Sequence, residues 1–417
     1  MSEKAIRLNT SLLRTNANFR NLWLSGIVTG LGSFATYIAM PYQIAHLTGS
    51  YVAVGLLGLT EVIPIIVFGL WGGIIADRFD RRSVVIKTEV ALLVLAAVLL
   101  VNAHHSMRHV WVIFVVSALF AAVDGIQRPS LDAMLPRVVE PSELAAAGAL
   151  RSLRGNIAHV AGPALGGILI AIGGVSFAYS FDVVSFVFSV YFLLRVVRLP
   201  ATRESFEKPL ADLRLAFNYL RTRQDIIGTY LADTLAMVFA FPFALFPFIV
   251  DEYNAPWALG FLYSSLAVGS LLATVTSGWT SRVRRHGRAV VFSAGTWGVA
   301  IGLAGLMKNI WWVLAFLVLA GAADMTSGLF RSLIWDLTIP DDLRGRMAGM
   351  ELLSYAVGPQ VGQIRSTLTA RWTSIQSSLM IGGVLCVAGV GAVRSGLPAL
   401  WTFESSPSLD LRRDDAG

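Results

Sequence analysis

Among the acidic side chains inside long apolar stretches of this sequence, where an ionised group is costly to bury, five are candidates for function. They are Glu61, Asp124, Asp182, Asp233 and Asp324. A charged side chain at the centre of a membrane costs about 2.5–3.5 kcal/mol on insertion scales, so such residues are candidate functional groups. A carboxylate in these surroundings suits reversible protonation. The chemistry that these residues predict is proton binding inside a membrane.

The five carboxylates differ in their sequence neighbours. Glu61 lies ten residues into its apolar stretch, about 15 Å deep at the rise of an α-helix, and no basic residue stands within one turn of it. It is therefore the first candidate for proton coupling. Asp324 is second, since it also lacks a close basic neighbour. Asp124 is third, because Arg128 follows one turn later. A structural salt bridge between these two residues explains Asp124 at least as well as proton binding does.

The stretches that carry two of these carboxylates repeat each other. Trp111 precedes Asp124 in one stretch, and Trp311 precedes Asp324 in another. Each residue of the second pair lies about two hundred positions after its counterpart in the first. Each copy is a long apolar run that opens with tryptophan and carries one carboxylate inside. Duplicated membrane halves are typical of secondary transporters, whose site lies between the halves.

The composition favours a membrane protein, since 55% of the 417 residues are hydrophobic and only 14% are charged. An apolar helix needs roughly 20 residues to cross the hydrocarbon. Twelve stretches qualify: residues 21–46, 51–76, 83–103, 110–130, 145–172, 175–197, 226–249, 257–280, 288–307, 309–330, 347–370 and 374–394. The sequence thus predicts an all-α membrane protein of two pseudo-symmetric six-helix bundles, at 1–200 and 226–396. A cytoplasmic amphipathic linker at 201–225 joins them, and a disordered polar tail covers 397–417.

The basic residues give the orientation. All but four of the 33 lysines and arginines lie on the side that holds both termini; the four exceptions are Arg108, Lys308, Arg365 and Arg371. By the positive-inside rule, both termini are cytoplasmic and the protein is a multi-pass protein of the cell (inner) membrane. The net charge of +7 therefore reports topology and gives no evidence of nucleic-acid binding.

A charged motif joins the second and third predicted spans. Its residues are Gly73, Asp77, Arg78, Arg81 and Arg82. The chain here resembles the major facilitator superfamily, although Asp80 stands where that superfamily usually has glycine. The resemblance implies the major facilitator fold and a loop that controls switching between inward and outward states. Asp77 is expected to approach the start of the eleventh span near 345–349, where the helix dipole favours a negative group, and the arginines to bind acidic groups or anionic lipid.

A second motif lies in the fifth predicted span and consists of Gly162, Pro163, Gly166 and Gly167. Proline removes a helical hydrogen bond and glycine permits close helix contact. The motif resembles the one that exporters of the superfamily carry at this place. Segments at 233–247, 278–285 and 342–346 resemble exporters of the enterobactin type, the transmembrane secretion effectors. This similarity covers the whole chain, except that Gln363 and Arg365 stand where relatives have an acidic residue.

Aromatic and acidic residues of several spans are candidates for the wall of a central cavity: Tyr37, Asp233, Phe239, Phe243 and Tyr355. Aromatic walls suit amphipathic or aromatic cargo, such as a siderophore, a drug or a natural product. Asp182 and Asp233 have a second interpretation, in which each accepts hydrogen bonds from neighbouring serine or threonine.

The sequence favours an exporter driven by proton antiport with alternating access. Scattered histidines and one cysteine supply neither a metal site nor a catalytic constellation, so no enzyme activity is expected. A nucleotide-binding motif is also missing, which leaves the proton gradient as the energy source, with no cofactor. The expected partners are a small-molecule substrate, protons and membrane lipid, without nucleic acid, and the expected functional unit is a monomer. A proton-coupled nutrient importer and a non-transporting regulatory protein on the same fold are the alternatives.

Overall fold

The computed structural model of the chain describes residues 10–104, 108–199, 217 and 219–404. Within helices, the side chains at 70, 73, 74, 76, 77, 341, 342, 344–346 and 348–356 are not described. Most of the predicted linker and of the tail therefore lie outside the described residues, as do the side chains of Asp77 and Tyr355. The part of the tail that is described departs from the prediction of disorder, because Pro398–Trp401 is helical.

Helices account for almost all of the described chain. Eleven long ones are labelled here α1 Ala17–Thr48, α2 Tyr51–Arg78, α3 Arg81–His104, α4 Val110–Val138, α5 Leu144–Leu193, α6 Gln224–Ala240, α7 Leu259–Val275, α8 His286–Leu306, α9 Ile310–Thr338, α10 Asp341–Trp372 and α11 Ile375–Gly396. Short helices lie at Leu12–Thr15, Phe246–Glu252 and Pro398–Trp401. Short 3₁₀ helices lie at Pro141–Glu143, Phe243–Leu245, Pro256–Ala258 and Ser277–Arg282. No β-strand occurs among the residues that the structure describes.

Polar side chains set where several helices begin. Asn16 accepts a hydrogen bond from the backbone N–H of Phe19 at 3.0 Å and so caps α1. Ser50 caps α2 in the same way, through the N–H of Ala53 at 3.3 Å. Each cap satisfies one of the backbone donors that a first helical turn leaves without a partner. Between these two helices Gly49 has φ 60°, a conformation that glycine adopts without steric cost.

The helix α5 contains two predicted spans that a pair of glycines separates. Gly173 and Gly174 have non-helical dihedral angles, and Gly174 has φ 69°. The regular helical geometry is therefore interrupted at the turn that the sequence predicts between residues 172 and 175. This places the fifth and sixth predicted spans on the two sides of the glycine pair.

The seventh predicted span is not one continuous helix. α6 ends at Ala240, Phe241 is extended, and a short 3₁₀ helix at Phe243–Leu245 leads into Phe246–Glu252. Pro242 has no backbone N–H for a helical bond to the preceding turn, and Pro247 suits the first turn of the segment that follows. The span predicted at 226–249 thus falls within the apolar stretch Gln224–Glu252, which is long enough to cross a membrane but is interrupted at its prolines.

Ten helical stretches of the described chain are long and apolar enough to cross a membrane. One of the ten is Pro141–Leu193, which contains the interruption at Gly173 and Gly174. The helix α10 has 32 residues and is not among the ten. The protein is thus an all-α, multi-pass membrane protein, as predicted, while the count of twelve spans stays a prediction.

The chain divides into two compact units. Unit 1 comprises Met1–Ala53, Leu59–Phe206 and Pro256–Ser264, and unit 2 comprises Val54–Gly58, Glu207–Ala255 and Ser265–Gly417. Unit 1 has an apolar core at one end that contains Leu12, Phe19 and Met134. Unit 2 holds Cys386, which is fully buried; its Sγ lies 3.6 Å from the carbonyl oxygen of Ala294. The predicted domain limits stay predictions.

Candidate functional site

The first proton-coupling candidate lies between two helices of unit 1. Glu61 projects from α2 and is partly exposed, and its Oε1 accepts a hydrogen bond from the Oγ of Ser117 on α4 at 2.5 Å. Ser117 itself is fully buried. This carboxylate thus has a neutral hydroxyl donor, and among the described residues the structure gives it no cationic partner.

The third candidate has the salt bridge that its sequence neighbour indicates. The Nε of Arg128 donates to Oδ2 of Asp124 at 2.7 Å, one turn away along α4. The arginine side chain is 64% exposed and the aspartate 36% exposed. An exposed pair of this kind contributes little to stability, typically about 0.3–0.5 kcal/mol for an i,i+4 pair. The salt-bridge interpretation of Asp124 is therefore confirmed, and it competes with a role in proton binding.

A buried carboxylate that the sequence interpretation missed lies on α3. Glu89 is 3% exposed and accepts hydrogen bonds from Gln127 Nε2 at 3.1 Å and Thr29 Oγ1 at 3.3 Å. These donors come from α4 and α1. Glu89 lies six residues into the third predicted span, a position that would have marked it as a membrane carboxylate. Its partners are distant in sequence, so the polar cluster itself was not predictable.

Asp182 lies in a fully buried polar cluster between α1 and the second part of α5. Thr36 donates its hydroxyl to Oδ2 at 2.5 Å, and Ser185 donates to Oδ1 at 3.2 Å. A methyl group at Gly32 would lie 2.6 Å from this carboxylate, so only glycine allows the helices to approach so closely. The second interpretation of Asp182, hydrogen bonding to serine and threonine, describes its contacts.

Asp233 of unit 2 has a charged partner instead. It forms a buried ion pair with Arg331, so that α6 is joined to α9. The side chains are 7% and 4% exposed, respectively. The hydrogen-bonding interpretation overlooked this pair because Arg331 lies just beyond the predicted limit of its span, whereas the helix continues to Thr338. Burial of two charges requires such pairing, since an unpaired ion would carry a desolvation cost of several kcal/mol.

The second candidate for proton coupling is close to this ion pair. Asp324 is half-buried on α9, and both Arg331 and Asp233 act on it electrostatically. No basic residue lies within one turn of Asp324 along α9, and Arg331 follows two helical turns later. In unit 2 Asp233 thus pairs with a guanidinium that also influences Asp324 electrostatically, whereas the carboxylates of unit 1 at 61, 89 and 182 accept hydrogen bonds from neutral donors.

The export motif of α5 forms a tight contact with α1. A methyl group at Gly166 would lie 2.7 Å from the Cα of Ala35, and one at Gly162 would lie 2.6 Å from the Cβ of Phe34. A methyl group at Gly167 would meet the backbone nitrogen of Gly260 at 2.4 Å. Pro163 is buried in the first part of α5, before the interruption at Gly173 and Gly174. The glycines therefore permit backbone contacts that any side chain would block.

The charged motif between α2 and α3 is held by hydrogen bonds within unit 1. Arg82 donates to the carbonyl oxygens of Leu193 at 3.0 Å and Leu194 at 2.6 Å, at the end of α5. The carboxylate of Asp80 accepts from the N–H of Ser83 at 2.7 Å and of Leu199 at 2.8 Å. Asp80, the departure from the superfamily pattern, thus caps α3 and binds the chain that leaves α5.

Two further residues of this motif follow the ends of the helices. Arg78 is the last residue of α2 and is exposed, and Arg81 is the first of α3 and is buried. Gly73 belongs to α2. Asp77 lies one residue before the end of α2, and its side chain lies outside those that the structure describes.

We expect replacement of Asp80 by alanine to lower the free energy of unfolding by about 1–2 kcal/mol, because a helix cap and a second backbone hydrogen bond are lost. The measurement is the thermal unfolding of purified protein in detergent. Glu140→Ala is a suitable control, since Glu140 is exposed at a nearby helix start and its side chain makes no capping hydrogen bond. Equal stability of the two variants would contradict the assigned cap.

The aromatic candidates lie in separate surroundings. Tyr37 packs edge-on against Tyr263 and Phe34, with ring centres 6.3 and 6.5 Å apart. Phe243 contacts Phe241 at 4.5 Å and Phe246 at 5.3 Å, at the interruption of the seventh predicted span. Phe239 instead directs its ring toward α11, where a methyl group at position 389 would lie 3.6 Å from it. The side chain of Tyr355 is not described.

These side chains place acidic and hydrogen-bonding groups inside the apolar helices. In the described part of the chain, no three histidine, cysteine, aspartate or glutamate side chains come together as a metal site would require. Glu61, Glu89, Asp182 and Asp233 have hydroxyl, amide or guanidinium partners.

The sequence matches a known protein family. A family model described as transmembrane secretion effector matches residues 11–414. The enterobactin exporter EntS of Shigella dysenteriae serotype 1 (strain Sd197) is 28% identical over 398 residues, which cover 94% of each chain. The enterobactin exporter EntS of Escherichia coli O81 (strain ED1a) has the same identity and coverage.

Solved transporter structures share the fold. The nucleoside transporter NupG has a TM-score of 0.71 and 15% identity, and the match covers 91% of this chain and 99% of that one. A bacterial homologue of the iron transporter ferroportin, in an inward-facing state, has a TM-score of 0.68 and 17% identity, with 94% and 100% coverage. At such low identity these likenesses show the fold alone.

Proposed function

The chain belongs to the transmembrane secretion effector family of the major facilitator superfamily, and from that premise we propose that it is a secondary active exporter. Its cargo is a small amphipathic or aromatic molecule of the siderophore, drug or natural-product class. The direction of transport rests on the relatives, which are named enterobactin exporters, and on the glycine-proline motif of α5.

The observation that carries the energetic part of this proposal is the set of carboxylates within the membrane-spanning helices of both units. Glu61 has a hydroxyl donor and no cationic partner among the described residues. Asp324 shares the neighbourhood of one guanidinium with Asp233. Export of cargo against entry of protons needs a group that binds a proton on one side and releases it on the other. A carboxylate is a group of the kind that this step needs, which supports the proposal.

The remaining parts of the proposal follow from the same reasoning. The proton gradient supplies the energy, so that no cofactor takes part. The protein works as a monomer in the cytoplasmic membrane, with both termini in the cytoplasm. Its partners are the cargo, protons and membrane lipid.

Inverted membrane vesicles test the function. Cells that lack their own enterobactin exporter would supply vesicles with and without this protein, and uptake of enterobactin or of a hydrophobic dye would be followed under an imposed pH gradient. We expect uptake that needs both the protein and the gradient. Uptake in right-side-out vesicles only would favour the nutrient importer, and the absence of any gradient-dependent flux across a panel of such cargo would favour the regulatory protein.

We further propose that Asp77 controls the switch between the two states of transport. Replacing Asp77 by asparagine removes a charge from the end of α2 and is expected to lower the transport rate several-fold, with unchanged abundance in the membrane. The measurement is the initial rate of cargo flux per molecule of inserted protein.

Asp80→Asn is the matched control, because it removes the same charge three residues later from a side chain that, among the described residues, accepts hydrogen bonds from two backbone N–H groups of unit 1. Its stability should fall, while the rate per folded molecule should stay close to that of the parent. Equal rates in Asp77→Asn and the parent would remove Asp77 from the switch.

A further inference from the structure

Two arginines flank one tryptophan at an end of unit 2. The guanidinium carbon of Arg394 lies 4.1 Å from the ring centre of Trp401, and that of Arg288 lies 5.1 Å from it. Arg288 belongs to the first turn of α8, and Arg394 to the last turn of α11. The two cations therefore converge on the same indole, and the contacts are of the cation–π type.

Close backbone contacts fix the position of this tryptophan. Leu400 is fully buried, and a methyl group at Gly287 would lie 1.6 Å from its carbonyl oxygen. A methyl group at Gly228 would lie 2.8 Å from the Cβ of Leu400. The short helix Pro398–Trp401 thus sits directly on two glycines of α6 and α8, a contact that larger residues would prevent.

The residues after this helix are also attached to unit 2. Phe403 stacks on His286, with ring centres 6.3 Å apart, and Glu404 accepts a hydrogen bond from Arg285 at 2.7 Å. Glu404 is therefore engaged by a neighbouring arginine. The docking of residues 398–404 gives Trp401 a fixed place between its two cations.

The charge at this place is positive and uncompensated within the described residues. There the structure gives Arg288 and Arg394 aromatic contacts but no carboxylate partner. The Nε of Arg288 is buried and has no hydrogen-bond partner among them. Arg282 and Arg284, which precede α8, are exposed and add to the positive charge. Guanidinium groups bind phosphate oxygens well, and two of them lie against the same indole here.

An apolar surface continues from the cationic one along α8. Phe292 is 64% exposed, and its ring centre lies 5.7 Å from that of Trp401. Val299, two turns further along the helix, is 48% exposed. A cationic end with an interfacial tryptophan, followed by an exposed apolar strip, matches a lipid headgroup and its acyl chain.

We propose that Arg288, Arg394 and Trp401 bind the headgroup phosphate of an anionic phospholipid, whose acyl chain lies along Phe292. The proposed orientation places this end in the cytoplasmic leaflet, where anionic lipid attracts basic residues close to the membrane. The arginines bind the phosphate oxygens, and the indole holds both guanidinium groups in position. This site is independent of cargo and of proton coupling.

Native mass spectrometry of the purified full-length protein tests this site. Phosphatidylglycerol, or phosphatidylcholine as the zwitterionic comparison, would be titrated into detergent solution and the bound lipid counted. The double variant Arg288→Gln, Arg394→Gln is expected to bind phosphatidylglycerol at least about tenfold more weakly, since each arginine near an anionic surface contributes roughly a factor of five. Trp401→Leu should weaken binding by a smaller factor.

The control is the double variant Arg20→Gln, Lys87→Gln, which removes two exposed cations from unit 1. It should bind phosphatidylglycerol as the parent does, and neither double variant should alter the weaker binding of phosphatidylcholine. If the Arg288, Arg394 variant does not give monodisperse protein, Arg394→Gln alone serves, because Arg394 is exposed; severalfold weaker binding is then expected.

Three results would overturn the proposal. Unchanged phosphatidylglycerol binding in the arginine variants would show that the site does not bind lipid. An equal loss in the control variant would show that binding depends on overall charge. Displacement of the lipid by millimolar inorganic phosphate would show a site for free phosphate instead. Because the measurement needs no cargo, its result is valid even if the protein fails to export, and the two proposals can fail separately.

Discussion

Replacing Glu61 by glutamine is expected to abolish proton-driven export while preserving cargo binding and downhill exchange. Glutamine has nearly the shape of a protonated glutamate, and its amide oxygen can accept the hydrogen bond of Ser117, but it has no carboxyl group that can release and rebind a proton. The coupled step therefore stops, whereas the neutral form of the site is maintained. Loss of coupling is expected to reduce gradient-driven flux to the level of empty liposomes.

The measurement is cargo flux in proteoliposomes with and without an imposed pH gradient. Asp324→Asn and Asp124→Asn are compared in parallel, as the second and third candidates. Glu89→Gln is the matched control, because Glu89 is also a membrane carboxylate of unit 1, but it is 3% exposed, whereas Glu61 is partly exposed. A coupling group must reach water from each side in turn, so Glu89→Gln should retain driven flux.

Full gradient-driven flux in Glu61→Gln would remove Glu61 as the coupling residue. If Asp324→Asn alone stopped the driven flux, coupling would belong to unit 2. Driven flux in all three variants would require the proton-antiport proposal to be abandoned, while export itself could still be driven by another gradient.

Breaking the ion pair between Asp233 and Arg331 is expected to have the largest effect on stability. Removal of one partner of a buried pair typically costs about 3–5 kcal/mol, because the other charge stays buried without compensation. Arg331→Met should be the more damaging variant, since it leaves Asp233 and Asp324 as neighbouring carboxylates. Asp233→Asn should cost less, because Arg331 then still has Asp324 nearby.

Thermal unfolding in detergent would measure this order, together with the amount of monodisperse protein. The double variant Asp233→Leu, Arg331→Met removes both charges and should recover most of the lost stability, because buried pairs are often replaceable by apolar residues. If both single variants were as stable as the parent, the pair would not be a structural element. If the double variant were stable but inactive in transport, the pair would have a role in the transport cycle.

Local sequence was sufficient for several of these features. The salt bridge of Asp124 and Arg128 follows from their spacing of four residues on one helix. The turn at Gly173 and Gly174 follows from the conformational freedom of glycine between two apolar runs. The all-α membrane fold follows from run length and composition. These properties depend on neighbours in the chain, which the sequence displays directly.

The break after α6 was not predictable from its prolines alone. Pro41, Pro64 and Pro163 all lie inside helices of the same protein that continue past them, because a membrane helix tolerates the loss of one hydrogen bond when its neighbours compensate. At Pro242 the helix instead ends, and a 3₁₀ turn leads into the short helix that has Pro247 in its first turn. Such a difference depends on packing that a single sequence does not display.

The partners of the buried carboxylates were likewise beyond the reach of the sequence. Asp233 and Arg331 are about a hundred positions apart, and Glu89 receives its donors from two other helices. Only the three-dimensional packing of the helices determines which polar groups meet. The sequence therefore identifies most of the carboxylates but not the residues that pair with them or donate hydrogen bonds to them.

The burial of Cys386 has a practical consequence for following the transport cycle by spectroscopy. It is the only cysteine of the chain, and its fully buried thiol is enclosed by α8, where a methyl group at Gly298 would lie 2.8 Å from its sulfur. Maleimide and spin-label reagents react with accessible thiolates, so the native chain already provides a nearly silent background. Pairs of cysteines introduced into exposed ends of the helices would carry the labels without prior removal of the native cysteine. Distances between the labels would report on the opening and closing of an otherwise native protein.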